Sequence, residues 1–351
     1  MQSLRTTSSI PAFLRTHSST QTKLSFSRLT KNYMTHARII LWNQWKTILY
    51  TTSFVSITAL LYTSCIRSYT ATHNNHMITT NTVLPTPIHQ YYTTAPINNH
   101  VAELIIPQLV KVKPVATHAH DSTAFTQGLQ LINNIMYEST GMYGSSEVRM
   151  IDFITGNIMK QVKLDNSYFG EGLSVVPTHD HTDYNIYVLT WREHKCIVYD
   201  SQLNQLYEYT YAMDGWGLTY NHHTNKLMLS DGSDKLYIID PYTFIVESTI
   251  NCTQYDTRSK QYVPVYNINE LEYINGYIYA NIWLTPNIAV INSNTGIVHK
   301  YLQLDRSMRH DLNHQNRDAV SNGIAYDTIN KKLYITGKMW PKLYEIDHIP
   351  E

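Results

Sequence analysis

The sequence predicts an all-β chain folded as a five-bladed β-propeller, closed by an N-terminal strand and preceded by a transmembrane helix. Three observations predict it. From residue 105 onward no long stretch carries the 3.6-residue apolar period of a helix; short alternating runs broken by Gly, Asn and Asp stand there instead. Aligned on itself, the chain opens a strand five times, at Gly128-Leu129, Gly172-Leu173, Gly217-Leu218, Glu270-Leu271 and Gly323-Ile324, with spacings of 44, 45, 53 and 53 residues. Most openings lead into three further strand-like runs, and four strands per repeat of this length is the pattern of propeller blades.

Taken in order, the second strands of the units are Ile135 to Glu138, Ile186 to Thr190, Leu227 to Ser230, Tyr277 to Ile282 and Leu333 to Thr336. The third are Val148 to Phe153, Cys196 to Asp200, Leu236 to Asp240, Ile288 to Asn292 and Leu343 to Asp347. Fourth strands follow at Ile158 to Leu164, Gln205 to Tyr211, Phe244 to Ile250 and Ile297 to Leu304, after turns such as Thr155-Gly156 and Thr295-Gly296. The fifth unit has only three. An open outer edge is a liability, so the alternating segment Leu109 to Thr117 is expected to pair there and close the ring. Asn251 to Asn267 is read as a loop inserted between the third and fourth units.

The expected organisation is a basic segment over 1–47, a membrane span over 48–66, a linker over 67–104 and the propeller over 105–351. Arg5, Arg15, Lys23, Arg28, Lys31, Arg38 and Lys46 precede the span, and no Asp or Glu occurs before Glu103. The uncharged run Ile48 to Ile66 is close to the length of a bilayer core. The positive-inside rule then puts the N-terminus in the cytosol and the remainder in the lumen of the secretory pathway. A signal-anchor and an organellar transit peptide both fit this Arg-rich, Ser-rich, acid-free leader. Lys plus Arg and Asp plus Glu balance at 27 each, which gives no net field for nucleic acid. Three cysteines, Cys65, Cys196 and Cys252, rule out a disulfide framework, and the last two could pair only if the fold brings them together. Asn251-Cys252-Thr253 is the single Asn-x-Thr sequon.

In a propeller the innermost strands meet around a central channel, and the loops beside them form its mouth. Residues at equivalent places in the repeats should converge there. Tyr168-Phe169-Gly170-Glu171-Gly172-Leu173 presents one carboxylate between two glycines. Equivalent positions carry Phe125-Thr126-Gln127-Gly128, Asp214-Gly215-Trp216-Gly217, Asn269-Glu270-Leu271-Glu272 and Ser321-Asn322-Gly323, and the second strands end at Trp191, Trp283 and Lys338. One mouth is expected to gather Phe125, Gln127, Glu171, Trp191, Trp216, Asn269, Trp283 and Lys338. Aromatic walls, amide groups and a single carboxyl suit a reaction of an amine with an uncharged amide.

These blocks, with Glu138-Ser139-Thr140-Gly141-Met142-Tyr143-Gly144, Leu189-Thr190-Trp191, Ser230-Asp231-Gly232-Ser233, Ala280-Asn281-Ile282-Trp283, Asn322-Gly323-Ile324-Ala325-Tyr326 and Thr336-Gly337-Lys338-Met339-Trp340-Pro341, resemble the plant and bacterial type of glutaminyl-peptide cyclotransferase, or glutaminyl cyclase. The ordered set covers about His118 to Ile346. The resemblance implies a five-bladed propeller, without zinc or another cofactor, acting on peptides or proteins with N-terminal glutamine. They become pyroglutamate and ammonia. It also implies Glu171 as the catalytic carboxylate, with the other seven residues around the substrate. The basic leader, the His179 to Asp183 insert and the polar Arg309 to Arg317 stretch depart from the family and bear on location and partners.

Under that expectation Glu171 takes the proton of the attacking amine and passes it to the leaving nitrogen, helped by a pKa raised by Trp191, Trp216 and Trp283. Lys338, or the Gln127 and Asn269 amides, would stabilise the oxyanion. His118-Ala119-His120, His179-Asp180-His181 and His222-His223 lack the i, i+4 spacing or Cys partners of a catalytic zinc site. A monomer is expected. The rival class is a non-catalytic propeller that binds a protein or glycan at its mouth, since a fold does not choose a function.

Overall fold

The computed structural model describes residues 104–310 and 317–346. The expected basic segment and membrane span lie outside them, as does nearly all of the linker. Two short strands, β1 (Gln108–Val112) and β2 (Pro114–Ala119), come first. The first blade is β3 (Thr126–Ile132), β4 (Ile135–Thr140), β5 (Glu147–Asp152) and β6 (Ile158–Lys163). The second is β7 (Gly170–Pro177), β8 (Tyr184–Thr190), β9 (Lys195–Asp200) and β10 (Gln205–Thr210). The third is β11 (Leu218–Asn221), β12 (Lys226–Ser230), β13 (Lys235–Ile239) and β14 (Val246–Asn251). A hairpin, β15 (Thr253–Asp256) and β16 (Gln261–Pro264), precedes the fourth blade, β17 (Ile268–Ile274), β18 (Tyr277–Ile282), β19 (Asn287–Asn292) and β20 (Val298–Leu304). The fifth is β21 (Ser321–Asp327), β22 (Lys332–Gly337) and β23 (Lys342–Ile346), completed by β2. The five predicted units are the five blades.

The sequence repeats because the turns do. Between the third and fourth strands of the first blade, the Asp152 carboxylate accepts from the Thr155 backbone N–H and hydroxyl, and Gly156 adopts φ +71°. Asp240 with Thr243, and Asn292 with Thr295 and Gly296, build the same turn two and three blades on. An Asx side chain that satisfies the backbone two or three residues later holds such a turn without help from packing.

Two expectations need correction. The closing segment is not one strand over Leu109 to Thr117. It splits at Lys113: β1 adds to the fourth blade, parallel to β20, while β2 pairs antiparallel with β23 and closes the fifth. Pro114 stands at the break, where a residue with fixed φ and no N–H cannot carry a ladder onward. The stretch read as an inserted loop is mostly a hairpin, braced by the cross-strand pair of Tyr255 and Tyr262 with ring centroids 5.5 Å apart.

The inner strands are buried along nearly their whole length and the outer ones are largely exposed. Leu, Ile, Val and Tyr side chains pack between successive blades, around fully buried residues such as Ile186, Leu229, Ile278 and Trp340. Each inner strand has one edge toward the axis with no further strand to pair, so side chains from the next blades satisfy it. Glu270 accepts from the Leu129 and Ile324 N–H groups, Glu272 from Tyr326, Gln130 from Val175 and Thr219 from Tyr273. Burial pushes both carboxyls well above the usual range, with Glu272 adding to the shift of Glu270. Cys196 and Cys252 are buried free thiols.

Candidate active site

At one end of the channel the inner strands share an irregularity. Between Thr126 and Gly128, Gly170 and Leu173, Ile268 and Leu271, and Ser321 and Ile324, each strand carries one residue more than its partner. Such bulges re-aim side chains, which is why they gather beside sites. They hold Gln127, Glu171, Asn269 and Asn322. In the third blade the ladder starts late, at Leu218, and Ser230 takes over, its hydroxyl receiving the Gly217 N–H at 2.8 Å.

The same level is stitched from blade to blade. The Ser139 hydroxyl donates to the Glu171 carbonyl at 2.5 Å, the Gly172 N–H to the Trp216 carbonyl at 2.7 Å, and the Ser230 hydroxyl to the Asn269 carbonyl at 2.7 Å. The Gly323 N–H donates to Asn281, and the Asn322 amide to the Thr126 carbonyl, both at 3.0 Å. Glycine is required at the second seam: a Cβ on Gly172 would lie 2.6 Å from both Leu218 N and Trp216 O.

All eight residues singled out in the sequence border this ring of bulges. Phe125 meets Phe169 edge to face, Phe169 meets Trp191, and Trp216 meets Trp283, with centroids 5.6 to 6.1 Å apart. The Lys338 ammonium sits 4.6 Å from the centre of the Phe125 ring. Gln127, Glu171, Asn269 and Lys338 are buried, while Phe125 and the three tryptophans are half-buried, as walls of an opening would be. Lys338 follows β22 in a turn fixed by its N–H to the Val320 carbonyl and by the Met339 N–H to the Ala124 carbonyl.

The Glu171 side chain makes no hydrogen bond among the described residues and is 6% exposed. Burial pushes its carboxyl well above the usual range; Lys338 opposes the shift, and Glu193 and Asp214 add to it. Burial lowers the pKa of Lys338 in turn, against the pull of Glu171 and Asp318. The side-chain oxygens of Asn269 and Asn322 are buried without a partner. Such an acceptor costs about 1–3 kcal/mol until a donor arrives.

Sequence reasoning left out three contributors. Asn322 occupies the same bulge register as Gln127, Glu171 and Asn269, a signal already present in the repeat alignment. Glu193, from the bend after β8, accepts from the Phe169 N–H at 3.2 Å and the Tyr143 hydroxyl at 2.9 Å; no motif announces it. Phe169 is the ring at the centre of the wall, touching Phe125, Tyr143 and Trp191. His120, the residue after β2, bonds Glu138 at 3.0 Å and the Trp340 carbonyl at 2.6 Å, tying the end of β2 to the Lys338 turn. Among the described residues no three His, Cys, Asp or Glu side chains converge as a metal site.

A five-bladed propeller with a buried carboxyl, a buried amine and amide groups behind an aromatic mouth is built as an enzyme rather than as a flat docking ring. A family model for glutamine cyclotransferase matches residues 88–348. The chain belongs to the glutamine cyclotransferase family. It is 37% identical over 240 residues to the glutaminyl-peptide cyclotransferase of Arabidopsis thaliana, covering 67% of this chain and 71% of that protein. The crystal structure of Myxococcus xanthus glutaminyl cyclase superposes with a TM-score of 0.59 at 31% identity, covering 68% of this chain and 97% of the bacterial one.

Proposed function

We propose that this protein cyclises the N-terminal glutamine of peptides or proteins to pyroglutamate and releases ammonia, with Glu171 as the proton-transfer residue. The observation that carries the reading is the Glu171 carboxyl itself. It is buried, without a hydrogen-bond partner among the described residues, raised in pKa and set on a bulge between aromatic walls.

The α-amine attacks the γ-carboxamide carbon, a C–N bond forms, and the carbonyl oxygen becomes an oxyanion. Glu171 accepts the proton that the amine loses and delivers it to the amide nitrogen, which leaves as ammonia as its C–N bond breaks. A carboxyl with raised pKa suits both transfers near neutral pH. Gln127 and Lys338 are the donors at hand for the oxyanion, each such donor contributing about 3 kcal/mol. The unpartnered Asn269 oxygen accepts from the substrate amine or amide and orients it. Trp191, Trp216, Trp283 and Phe125 hold the glutamine side chain curled toward its own amine, the positioning from which much of the acceleration comes.

The basic leader and the uncharged run Ile48 to Ile66 anchor the enzyme in a membrane of the secretory pathway, with the propeller in the lumen and acting as a monomer; an organellar address is the alternative reading of the leader. Carbonate extraction and protease protection of the full chain test this.

The decisive assay is ammonia release from a Gln-initiated dipeptide by the full chain, wild type beside Glu171→Ala, with both checked for folding. Release by the wild type alone is expected. A folded wild type that releases none would refute the proposal.

A further inference from the structure

We infer that Asn322 is a positioning residue that fixes the Gln127 carboxamide with its oxygen turned inward and its NH2 group turned to the pocket. Asn322 is fully buried, on the bulge of β21. Its amide nitrogen lies 3.0 Å from the Thr126 carbonyl oxygen. A carbonyl can only accept, so the nitrogen is the atom on that side. The same nitrogen lies 3.0 Å from Gln127 Oε1. A second NH2 group cannot face the first, so Gln127 must present its oxygen there and its own nitrogen on the opposite side. Among the described residues Gln127 Nε2 has no hydrogen-bond partner, which leaves it free to donate to the substrate.

Asn322 is itself held from the fourth blade. The Gly323 N–H donates to Asn281 Oδ1, and Asn281 Nδ2 donates to the Ser321 hydroxyl, each at 3.0 Å, so Asn281 holds both neighbours of Asn322, one by its backbone and the other by its side chain. Gly323 has φ +125°, a conformation that suits glycine and that turns the bulge inward. A relay therefore runs from β18 through β21 to β3. It sets one donor of the mouth by chemistry rather than by packing. The catalytic meaning of this orientation rests on the cyclase reading; the orientation does not.

The test is a double-mutant cycle on the full chain. Gln127→Ala is expected to lower kcat about a hundredfold, the usual cost of one oxyanion donor. Asn322→Ala should lower kcat about tenfold with a smaller change in KM, and the double variant should fall within about twofold of Gln127→Ala alone, because the second change acts only through the first. Losses that multiply would overturn the inference. Should Asn322→Ala fail to fold, Asn322→Leu, which keeps the size and has no donor, supplies the same cycle. A second readout does not need turnover. In protein labelled with 15N at glutamine, the Gln127 side-chain NH2 pair, assigned through Gln127→Ala, should keep two resolved signals in both proteins but move toward the shifts of a free glutamine side chain in the Asn322 variant, where nothing holds the Gln127 oxygen. An unchanged pair overturns the inference. A wild type without ammonia release would sink the cyclase reading while leaving this second answer intact.

Discussion

Gly172→Ala perturbs the seam between the second and third blades with a single methyl group. The new Cβ would stand 2.6 Å from Leu218 N and Trp216 O and 2.8 Å from Gly217 C, where ordinary contact begins at 3.4 Å. All three are backbone atoms, so no rotamer change relieves the clash. The two inner strands must part by about 0.8 Å, stretching the 2.7 Å hydrogen bond from the Gly172 N–H to the Trp216 carbonyl. Overpacking of this kind costs about 2 kcal/mol, which in a domain of this size lowers Tm by about 4 to 8 °C. Glu171 is the preceding residue and moves with the strand. A displacement approaching 1 Å at a reacting group costs about a hundredfold in rate. Thermal unfolding and steady-state ammonia release on the purified variant read the two effects. A variant with wild-type Tm and wild-type kcat would show that the seam yields without moving Glu171, and would refute the argument.

Three further changes test the charges. The folded-state pKa of Glu171 is raised above its unfolded value near 4.5, so its stabilising contribution is complete below that pH and is lost as pH rises through the folded pKa. Glu171→Gln lacks this loss; its stability relative to wild type should climb from pH 4.5 upward and then level off, and a constant difference would contradict the assignment. Lys338→Met removes the charge that opposes the shift, so the acid limb of kcat/KM should move to higher pH while kcat falls about a hundredfold. Glu193→Gln removes a charge that adds to the shift, and the acid limb should move the other way. Shifts of the same sign in both variants would remove Glu171 as the titrating group.

The fold was legible because its repeat is written in local chemistry. Gly-Leu openings in three blades and close variants in the other two, period-2 runs and Asx turns recur along the chain, and each sets its own few residues without reference to the rest. The mouth was legible for a related reason, since equivalent positions in a closed ring must converge. What stayed hidden depended on pairing over long distances or on single loops. Nothing local says that a chain broken at Pro114 will serve two different blades, or that Glu193 will reach back to Phe169. Asn322 was in view at its place in the repeat but was not singled out. Its importance lies in where its amide hydrogen points, and only the Thr126 carbonyl reveals that.

Closing the ring with β2 also sets a schedule for the ribosome. Ala119 pairs with Lys342, which is made 223 residues later. At translation rates of about 5 to 20 residues per second, the β2 segment waits roughly 10 to 45 seconds for its partner. During that interval blades can form one by one, each from four strands that are neighbours in the chain, but the circle stays open and the edges at its gap stay bare. Loss of residues 342–346 should leave the nascent protein permanently in that interval, with its active-site mouth drawn by only four blades.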